Sequence, residues 1–172
     1  MKAKDIIYKA MKTRNYTQST LADVAGFKRV SNVSEILRSQ NMRIDNFVKL
    51  LNAMDYKVIV ENNQEEWEVT LDDESSKDKE MDISDAIREV MRKKNVTLQS
   101  MATSLGKSRS NDISSRLANK NLTTSYALEM LEVLDYELVI QEKRQDIRPE
   151  DQIVITFEED NKRTKRTPKE VL

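Results

Sequence analysis

The chain contains one sequence pattern twice, and this repeat limits what it can fold into. When residues 81–141 are laid over residues 1–61 without a gap, fifteen positions are identical. Unrelated segments would match at only about a twentieth of the positions. Both glycines of the chain, Gly26 and Gly106, fall in the same column. The repeat therefore predicts two copies of one structural unit, offset by eighty positions.

Each copy begins with a series of short helices. In the first copy, apolar residues recur at helical spacing and predict helices over residues 4–13, 18–25, 31–39 and 44–54. Thr17 and Thr97 precede the second helix of each copy, where a hydroxyl can accept a hydrogen bond from a free backbone N–H. Gly26 and Gly106 follow the same helix, where a positive φ is often required. Each copy is thus predicted to place a glycine turn between two short helices.

The end of each copy changes to a strand pattern. Residues 56–61 and 67–71 are rich in β-formers, and residues 136–141 and 152–157 match them in the second copy. We expect one β-hairpin per copy, and hence a mainly α protein with short β-hairpins, an α+β class. The two hairpins could join in one sheet that fixes the two copies relative to each other. Alternatively, their edges could build a homodimer.

Composition removes several classes of function. The 172 residues include no cysteine and no histidine, so disulfides, thiol chemistry and a structural zinc site are not expected. Neither a phosphate-binding glycine loop nor an apolar run long enough to span a membrane occurs. We therefore expect a cytoplasmic protein that is not an enzyme, with no cofactor, no metal and no membrane contact.

Charge is distributed unevenly along the chain, although its net value is only −1. Residues 1–61 carry a net charge of +5, whereas residues 62–80 carry −6. Residues 81–141 are neutral overall, as are residues 142–172. The first copy is thus the basic one, and the stretch after it is acidic.

The helical part of each copy resembles the lambda-repressor-like family, also called Cro/XRE, whose central motif is a helix-turn-helix. The resemblance covers about 55 residues of each copy and excludes the hairpins. In the first copy it rests on Thr17, Gln18, Leu21, Ala22, Gly26, Val33, Ser34 and Leu37. In the second copy it rests on Thr97, Met101, Ala102, Gly106, Ile113, Ser114 and Leu117.

The resemblance implies sequence-specific binding of double-stranded DNA. In this family the second helix of the motif lies in the major groove, and its first residues touch base edges. The candidate DNA-binding residues in the first copy are Thr17, Gln18, Lys28, Arg29, Ser31, Asn32, Glu35 and Arg38. Those in the second copy are Lys107, Ser108, Arg109, Ser110, Asn111, Ser115 and Arg116. Arg29 and Arg109 share a column and are suited to a bidentate contact with guanine.

The sequence departs from the family pattern in two places. The family's phosphate-contacting glutamine corresponds to Gln18, but Leu98 stands in that column of the second copy. The interval from Gly26 to Val33 is also one residue longer than the commonest family spacing, and the same holds in the second copy. Asn41 and Asn121 are expected to cap the last helix of each copy or to contact phosphate, and capping is the favoured role.

These features predict two tandem helix-turn-helix domains. Domain 1 spans residues 1–72 and domain 2 spans 81–160, joined by an acidic linker over 73–80 and followed by a basic tail over 161–172. The predicted function is a transcriptional regulator that acts as a repressor, either as a covalent pseudo-dimer or as a homodimer. The alternative is an antitoxin-like adaptor that binds proteins and in which one copy no longer binds DNA.

Overall fold

The fold consists of short helices and a small antiparallel sheet, as the α+β expectation required. The computed structural model describes residues 2–64, 66–69, 81–143 and 153–155. The helices of the first half are α1 (Ala3–Arg14), α2 (Gln18–Val24), α3 (Val30–Arg38) and α4 (Ile44–Ala53), followed by strands β1 (Tyr56–Glu61) and β2 (Glu66–Val69). The second half contains α5 (Ile83–Lys93), α6 (Leu98–Ser104), α7 (Asn111–Ala118), α8 (Thr124–Val133), β3 (Glu137–Glu142) and β4 (Ile153–Ile155). The acidic linker and the basic tail lie outside the described residues.

The second helix of each half begins and ends where the sequence predicts, after a threonine and before a glycine. The Thr17 hydroxyl accepts a hydrogen bond from the backbone N–H of Thr20 at 3.1 Å. Thr97 does the same for Ser100 at 3.1 Å, and the Ser100 hydroxyl in turn accepts from the Thr97 N–H at 2.9 Å. Gly26 and Gly106 have φ values of 69° and 65°. These positive values place each glycine in the left-handed region, as expected for the residue that ends a helix.

The capping role favoured for Asn41 and Asn121 was wrong. Arg43 is the residue that precedes α4, and its side chain makes no capping hydrogen bond. Thr123 precedes α8 and accepts from the Tyr126 N–H at 3.3 Å. Each asparagine therefore lies two residues too early to cap, because the chain runs extended for one more step before the helix starts.

All four strands belong to one antiparallel sheet, in the order β2-β1-β3-β4. β1 pairs with β2 inside the first half, and β3 pairs with β4 inside the second. β1 and β3 also pair with each other over their full six-residue length. The halves therefore share a continuous sheet, which is the first of the two arrangements that the sequence left open.

The central strand pair has two-fold symmetry with respect to the repeat. Ile59 lies directly opposite Val139 in the β1–β3 ladder, and these residues occupy the same column of the repeat. On either side of this pair, Val58 faces Ile140 and Val60 faces Leu138. Such a register is the one that a two-fold axis through the Ile59–Val139 pair would generate.

A second crossing of the halves lies before the last helix of each. Arg43 and Thr123, again one column of the repeat, form an isolated antiparallel bridge. The Ile44 N–H donates to the Leu122 carbonyl at 2.9 Å, and the equivalent bond joins the N–H of Thr124 to the carbonyl of Met42 at 2.7 Å. Two separated pairs of equivalent residues thus define one pseudo-two-fold axis.

The core extends across this axis. Large side chains that are almost fully buried come from both halves, and they include Phe47, Leu50 and Leu51 of α4 and Ile87, Met101 and Ile113 of the second half. The buried residues form a single cluster. No helix among the described residues is long and apolar enough to cross a membrane.

Candidate functional site

The helix pair α2–α3 is held by apolar contacts along its inner side. Leu21, Val33 and Leu37 are at most 3% exposed, as the periodicity predicted. Residues 25–29 connect the two helices, and α3 begins at Val30, one residue earlier than expected. With the inner side of α3 committed to the core, its remaining side chains are available at the surface.

Most candidate residues of the first half are indeed at the surface. The exposed ones are Thr17, Lys28, Arg29, Ser31, Glu35 and Arg38, while Gln18 and Asn32 are half-buried. Within the described ranges, neither Lys28, Arg29 nor Arg38 takes part in an ion pair. Three unpaired cations thus lie at the two ends of one nine-residue helix.

Gln18 connects the two helices of this pair. The Ser34 hydroxyl donates to its Oε1 atom at 2.6 Å. With Oε1 used as an acceptor, the Nε2 group of Gln18 keeps its two N–H donors for another partner. Ser34 itself is partly buried on α3, so the bond fixes the start of α2 against the middle of α3. This positions Gln18 at the surface without depriving it of donors.

The second half lacks this bond because Leu98 replaces Gln18. Leu98 is the first residue of α6 and is 37% exposed. Ser114, in the column of Ser34, is exposed. The start of α6 is held instead by the reciprocal Thr97–Ser100 bonds. The two halves therefore present different chemistry at the same position: an amide in one and a leucine in the other.

The candidate residues of α7 are less uniform than those of α3. Lys107, Ser108, Arg109, Asn111 and Ser115 are exposed, and Ser110 is half-buried. Arg116 is also half-buried, and its Nε atom donates to Asp112 Oδ1 at 3.0 Å. The Ser115 hydroxyl donates to the Asp112 carbonyl at 3.1 Å, and Lys107 Nζ lies 5.9 Å from the centre of the Tyr126 ring. The structure thus ties Ser115 and Arg116 to their own helix and places Lys107 beside Tyr126.

Arg116 belongs to a small cluster that joins α7 to α8. Its guanidinium lies 4.9 Å from the centre of the Tyr126 ring, and the Tyr126 hydroxyl lies 3.5 Å from Asp112 Oδ2. Burial raises the pKa of Tyr126, and the Asp112 carboxylate raises it further. The equivalent residues in the first half are Asn32, Ile36 and Asn46. The cluster is therefore specific to the second half, and it gives Arg116 a structural role.

The net charge around the third helix of each half differs from the net charge of that half as a whole. Residues 26–41 contain three basic side chains and one acidic one, a net charge of +2. Residues 106–121 contain four basic side chains and one acidic one, a net charge of +3. The neutral second half thus carries as much positive charge around its third helix as the basic first half does. Both segments are suited to an anionic partner.

Sequence reasoning missed Val30. This residue is the first of α3 and is 41% exposed, although it lies between the candidates Arg29 and Ser31. Periodicity assigns apolar residues to the core, so it does not identify an apolar residue at the surface. The alignment of the two copies does contain a sign of this exposure. Val30 has the spacing of a core residue, three positions before Val33, but it aligns with a serine, Ser110, in the second copy.

The arrangement offers hydrogen-bond donors and positive charge rather than reactive groups. Guanidinium, ammonium, hydroxyl and amide groups surround the start of α3 and of α7, and such groups suit phosphates and base edges. Among the residues that the structure describes, no cluster of acidic side chains is arranged to hold a metal ion.

Three comparisons with known proteins were made, against family models, curated proteins and solved structures. None of them found a match to this chain.

Proposed function

We propose that the chain is a sequence-specific regulator that binds double-stranded DNA through two helix-turn-helix units, α2–α3 and α6–α7. The observation that carries the proposal is the pairing of equivalent residues at two places, Ile59 with Val139 and Arg43 with Thr123. This pairing relates the two halves by an approximate two-fold axis. Dimeric helix-turn-helix proteins match the two-fold symmetry of their operators in the same manner.

In this proposal α3 and α7 are the reading helices. Their first residues enter adjacent major grooves, whose centres are about 34 Å apart on one face of the duplex. Arg29 directly precedes α3, and Arg109 lies two residues before α7. Both are exposed, so each is able to reach a base edge or a phosphate. The free N–H groups of Gln18 would bind phosphate beside the first groove.

The nearly neutral net charge does not oppose this function. The segments around α3 and α7 carry local net charges of +2 and +3, while residues 62–80 carry −6. Affinity for the phosphate backbone depends on the cations that contact it rather than on the net charge of the chain. We expect binding to weaken as the salt concentration rises.

The bound sequence is expected to consist of two unlike half-sites. The reading segments differ, RVSNVSEI in the first half and RSNDISSR in the second, while the scaffold that holds them is symmetric. A covalently fused pair can differ in this way, whereas a homodimer of identical subunits cannot. Arg29 and Arg109 are shared, so a guanine common to both half-sites is expected.

The test is selection of binding sites from random duplex DNA by the full chain. We expect two conserved blocks about one helical turn apart, in inverted orientation and with different sequences, bound by one chain. An exact inverted repeat bound by two chains would instead support a homodimer formed through the outer strands β2 and β4. If no sequence is enriched over the starting pool, the proposed function is wrong.

Two observations favour a second candidate, in which the second half binds a protein. Leu98 is exposed where the first half has Gln18, and Arg116 is tied to Asp112 and Tyr126. An electrophoretic shift with the full-chain variants Arg29→Ala and Arg109→Ala distinguishes the two candidates. A DNA-reading second half requires both variants to weaken binding, whereas an adaptor requires only Arg29→Ala to do so.

A further inference from the structure

Two glutamates face each other in the strand pair that joins the halves. Glu61 of β1 lies directly opposite Glu137 of β3, and like charges in this position destabilise a strand pair. Among the described residues, neither carboxylate takes part in an ion pair. The ladder that holds the two halves together therefore contains one contact that opposes it.

The charge that would relieve this contact is present in the first half. Lys57 of β1 occupies the same column of the repeat as Glu137, and it faces Gln141 at the other end of the ladder. Gln141 in turn occupies the column of Glu61. Lys57 and Glu61 are thus a complementary pair on one strand, but β3 offers an opposite charge to neither of them.

The register of the ladder also fits two identical strands, because it is symmetric about the Ile59–Val139 pair. If β1 paired in this register with β1 of another molecule, Ile59 would face its own counterpart. Lys57 of each molecule would then face Glu61 of the other, which gives two cross-strand ion pairs. The apolar contacts would remain, since Val58 would face Val60.

The strand β3 is equally able to pair with itself. In the same register, Val139 would face its counterpart, and Leu138 would face Ile140. Each Glu137 would face a Gln141, so no two like charges would be opposite each other. Pairing of identical strands therefore removes the repulsion from both ladders and adds two attractive contacts to one of them.

We propose that two molecules of the chain pair through like halves, β1 with β1 and β3 with β3, when the protein concentration is high. The surface is the edge of β1 that β3 occupies in the single chain, and the partner is a second molecule of the same chain. Such an exchange of equivalent elements is a low-cost route to a dimer. The inference goes beyond the proposed function and does not depend on DNA binding.

The polar cluster that crosses between the halves is compatible with the exchange. Glu142 lies 3.6 Å from the Arg14 guanidinium and accepts from the Tyr56 hydroxyl at 3.4 Å. In pairing of like halves it would meet Lys94 and Tyr136, which occupy the columns of Arg14 and Tyr56. Lys94 already lies 5.3 Å from the centre of the Tyr136 ring, the distance that separates Arg14 from the Tyr56 ring. A cation beside a tyrosine is therefore available to Glu142 in either arrangement.

The bridge before the last helix does not exclude the exchange either. Pairing of two first halves would place Arg43 opposite Arg43 of the other molecule. Each guanidinium is already neutralised within its own half, because Asp45 accepts from its Nε atom at 3.1 Å and from its Nη2 atom at 2.7 Å. Repulsion at the bridge is therefore smaller than the charges alone would suggest.

Protein concentration decides between the two arrangements. The covalent connection keeps the two halves of one molecule together at an effective concentration of ~1 mM. Loss of two like-charge contacts and gain of two ion pairs favour pairing of like halves about 30-fold. We therefore expect half of the molecules to be paired at roughly 30 µM, and single chains to prevail far below that concentration.

The first experiment traps the strand pair in the full chain. Ile59→Cys introduces one thiol into a chain that has no cysteine. Ile59 is 3% exposed, so two such thiols meet only when the β1 strands of two molecules lie side by side. Facing Cα atoms of antiparallel strands are about 4.5–5.5 Å apart, which suits a disulfide. Oxidation at a concentration where pairing is expected should give a linked dimer in non-reducing electrophoresis.

Two further cysteine variants define which strands have paired. Val139→Cys should also give a linked dimer, through β3. Val58→Cys is the matched control on β1, because Val58 would face Val60 of the other molecule rather than its own counterpart. It should give little linked dimer under the same conditions. Thermal melting verifies that each variant is folded.

The second experiment measures pairing by sedimentation of the full chain over a series of concentrations. Lys57→Glu adds no like-charge contact in the single chain, where Gln141 faces this position, but it would face Glu61 in pairing of like halves. Glu137→Lys instead gives the single chain an ion pair with Glu61. Each variant should raise the concentration needed for pairing about 30-fold. Lys12→Glu on the exposed side of α1 is the control and should leave it unchanged.

The outcomes are independent of the proposed function. A chain that remains monomeric well above the expected concentration, or a dimer that neither Ile59→Cys nor Val139→Cys can link, refutes the exchange and leaves DNA binding untouched. A dimer that is insensitive to Lys57→Glu refutes it as well, since another surface must then hold the molecules together. Conversely, a chain that selects no DNA sequence can still pair through like halves.

Discussion

Arg43 and Thr123 occupy the same column of the repeat and face each other in an antiparallel bridge. The Arg43 side chain strengthens this contact, because its Nη2 atom donates to the Lys120 carbonyl of the other half at 3.0 Å. Lys120 follows α7 closely and pairs through Nζ with Asp82 at 2.7 Å. The bridge thus connects the first half to the chain segment that leaves α7.

We expect the spacing between the two half-sites to be strictly limited. The shared sheet and the Arg43–Thr123 bridge hold α3 and α7 in one frame, so both can enter the DNA only when the grooves are correctly spaced. Inserting three base pairs between the half-sites should lower affinity about tenfold or more, because one half then loses its contacts. Fluorescence anisotropy with the altered duplexes measures this, and unchanged affinity would show that the halves reposition freely.

Arg29 is expected to contact a base rather than only phosphate. Arg29→Ala should lower affinity about tenfold, the low end of the range for a bidentate arginine–guanine contact. Arg29→Lys separates the alternatives, because lysine keeps the charge but loses the planar pair of donors. A base contact predicts that Arg29→Lys binds nearly as weakly as Arg29→Ala. Near-wild-type binding of Arg29→Lys would indicate a phosphate contact, and Lys12→Ala on α1 is the matched control for general loss of charge.

Thr124 provides a test of the crossing between the halves in the absence of DNA. Its side chain is 1% exposed, and its hydroxyl donates to the Met42 carbonyl at 3.0 Å. Thr124→Val keeps the shape and removes this bond, so we expect the free energy of unfolding to fall by about 1 kcal/mol. Urea denaturation measures the change. Thr103→Val is the control, because Thr103 is exposed and bonds only within α6; an equal effect there would contradict the prediction.

Glu61 lies between two other glutamates at one end of the sheet. It faces Glu66 on β2 and Glu137 on β3. Burial raises the pKa of Glu61, and the two neighbouring carboxylates raise it further. The folded state therefore favours the protonated carboxyl group, and stability is lost as the pH rises from the ordinary glutamate range through the raised pKa.

Replacing Glu61 by glutamine should remove this repulsion. At neutral pH, Glu61→Gln is expected to raise the free energy of unfolding by roughly 0.5 kcal/mol, the scale of a like-charge pair across strands. The gain should disappear at a pH below the ordinary glutamate pKa, where Glu61 is protonated and carries no charge. Melting curves from pH 3 to 7 measure it, with Glu132→Gln on the exposed side of α8 as the control. A gain that is independent of pH would exclude the electrostatic explanation.

Most of the local structure could be predicted from the sequence because its causes are local. Helical spacing located the helices within one or two residues, and Thr17 and Gly26 marked the ends of α2 through short-range hydrogen bonds and backbone conformation. The offset of the repeat then transferred each feature to the second half. The strands β1 and β3 were also placed within one residue.

The contacts between the halves could not be predicted in this way. Nothing in the alternation of β1 states which strand will lie beside it, so the sequence left an intramolecular sheet and a homodimer equally open. The Arg43–Thr123 bridge pairs residues eighty positions apart whose types differ. The caps of α4 and α8 were also misplaced, because Asn41 and Asn121 could cap these helices only if the helix began directly after them, and it begins two residues later.

The sequence predicted which side chains lie at the candidate site better than it predicted their contacts. Lys28, Arg29 and Arg109 are exposed as expected. Arg116 was a DNA-binding candidate, but Asp112 and Tyr126 engage it. The i,i+4 spacing of Asp112 and Arg116 can be read from the sequence, whereas the contact of Tyr126 with both cannot. Val30 was overlooked for the opposite reason, since its exposure depends on where α3 turns away from the core.

The strand pair β1–β3 has a consequence for how the protein would respond to its own abundance. Because its two halves are joined within one chain, a ligand that needs both of them meets a complete binding surface at any concentration. Occupancy would then rise in simple proportion to the amount of protein at low concentration, rather than with its square, as it does when two subunits must first associate. A response of this form has no dilution threshold below which the surface falls apart.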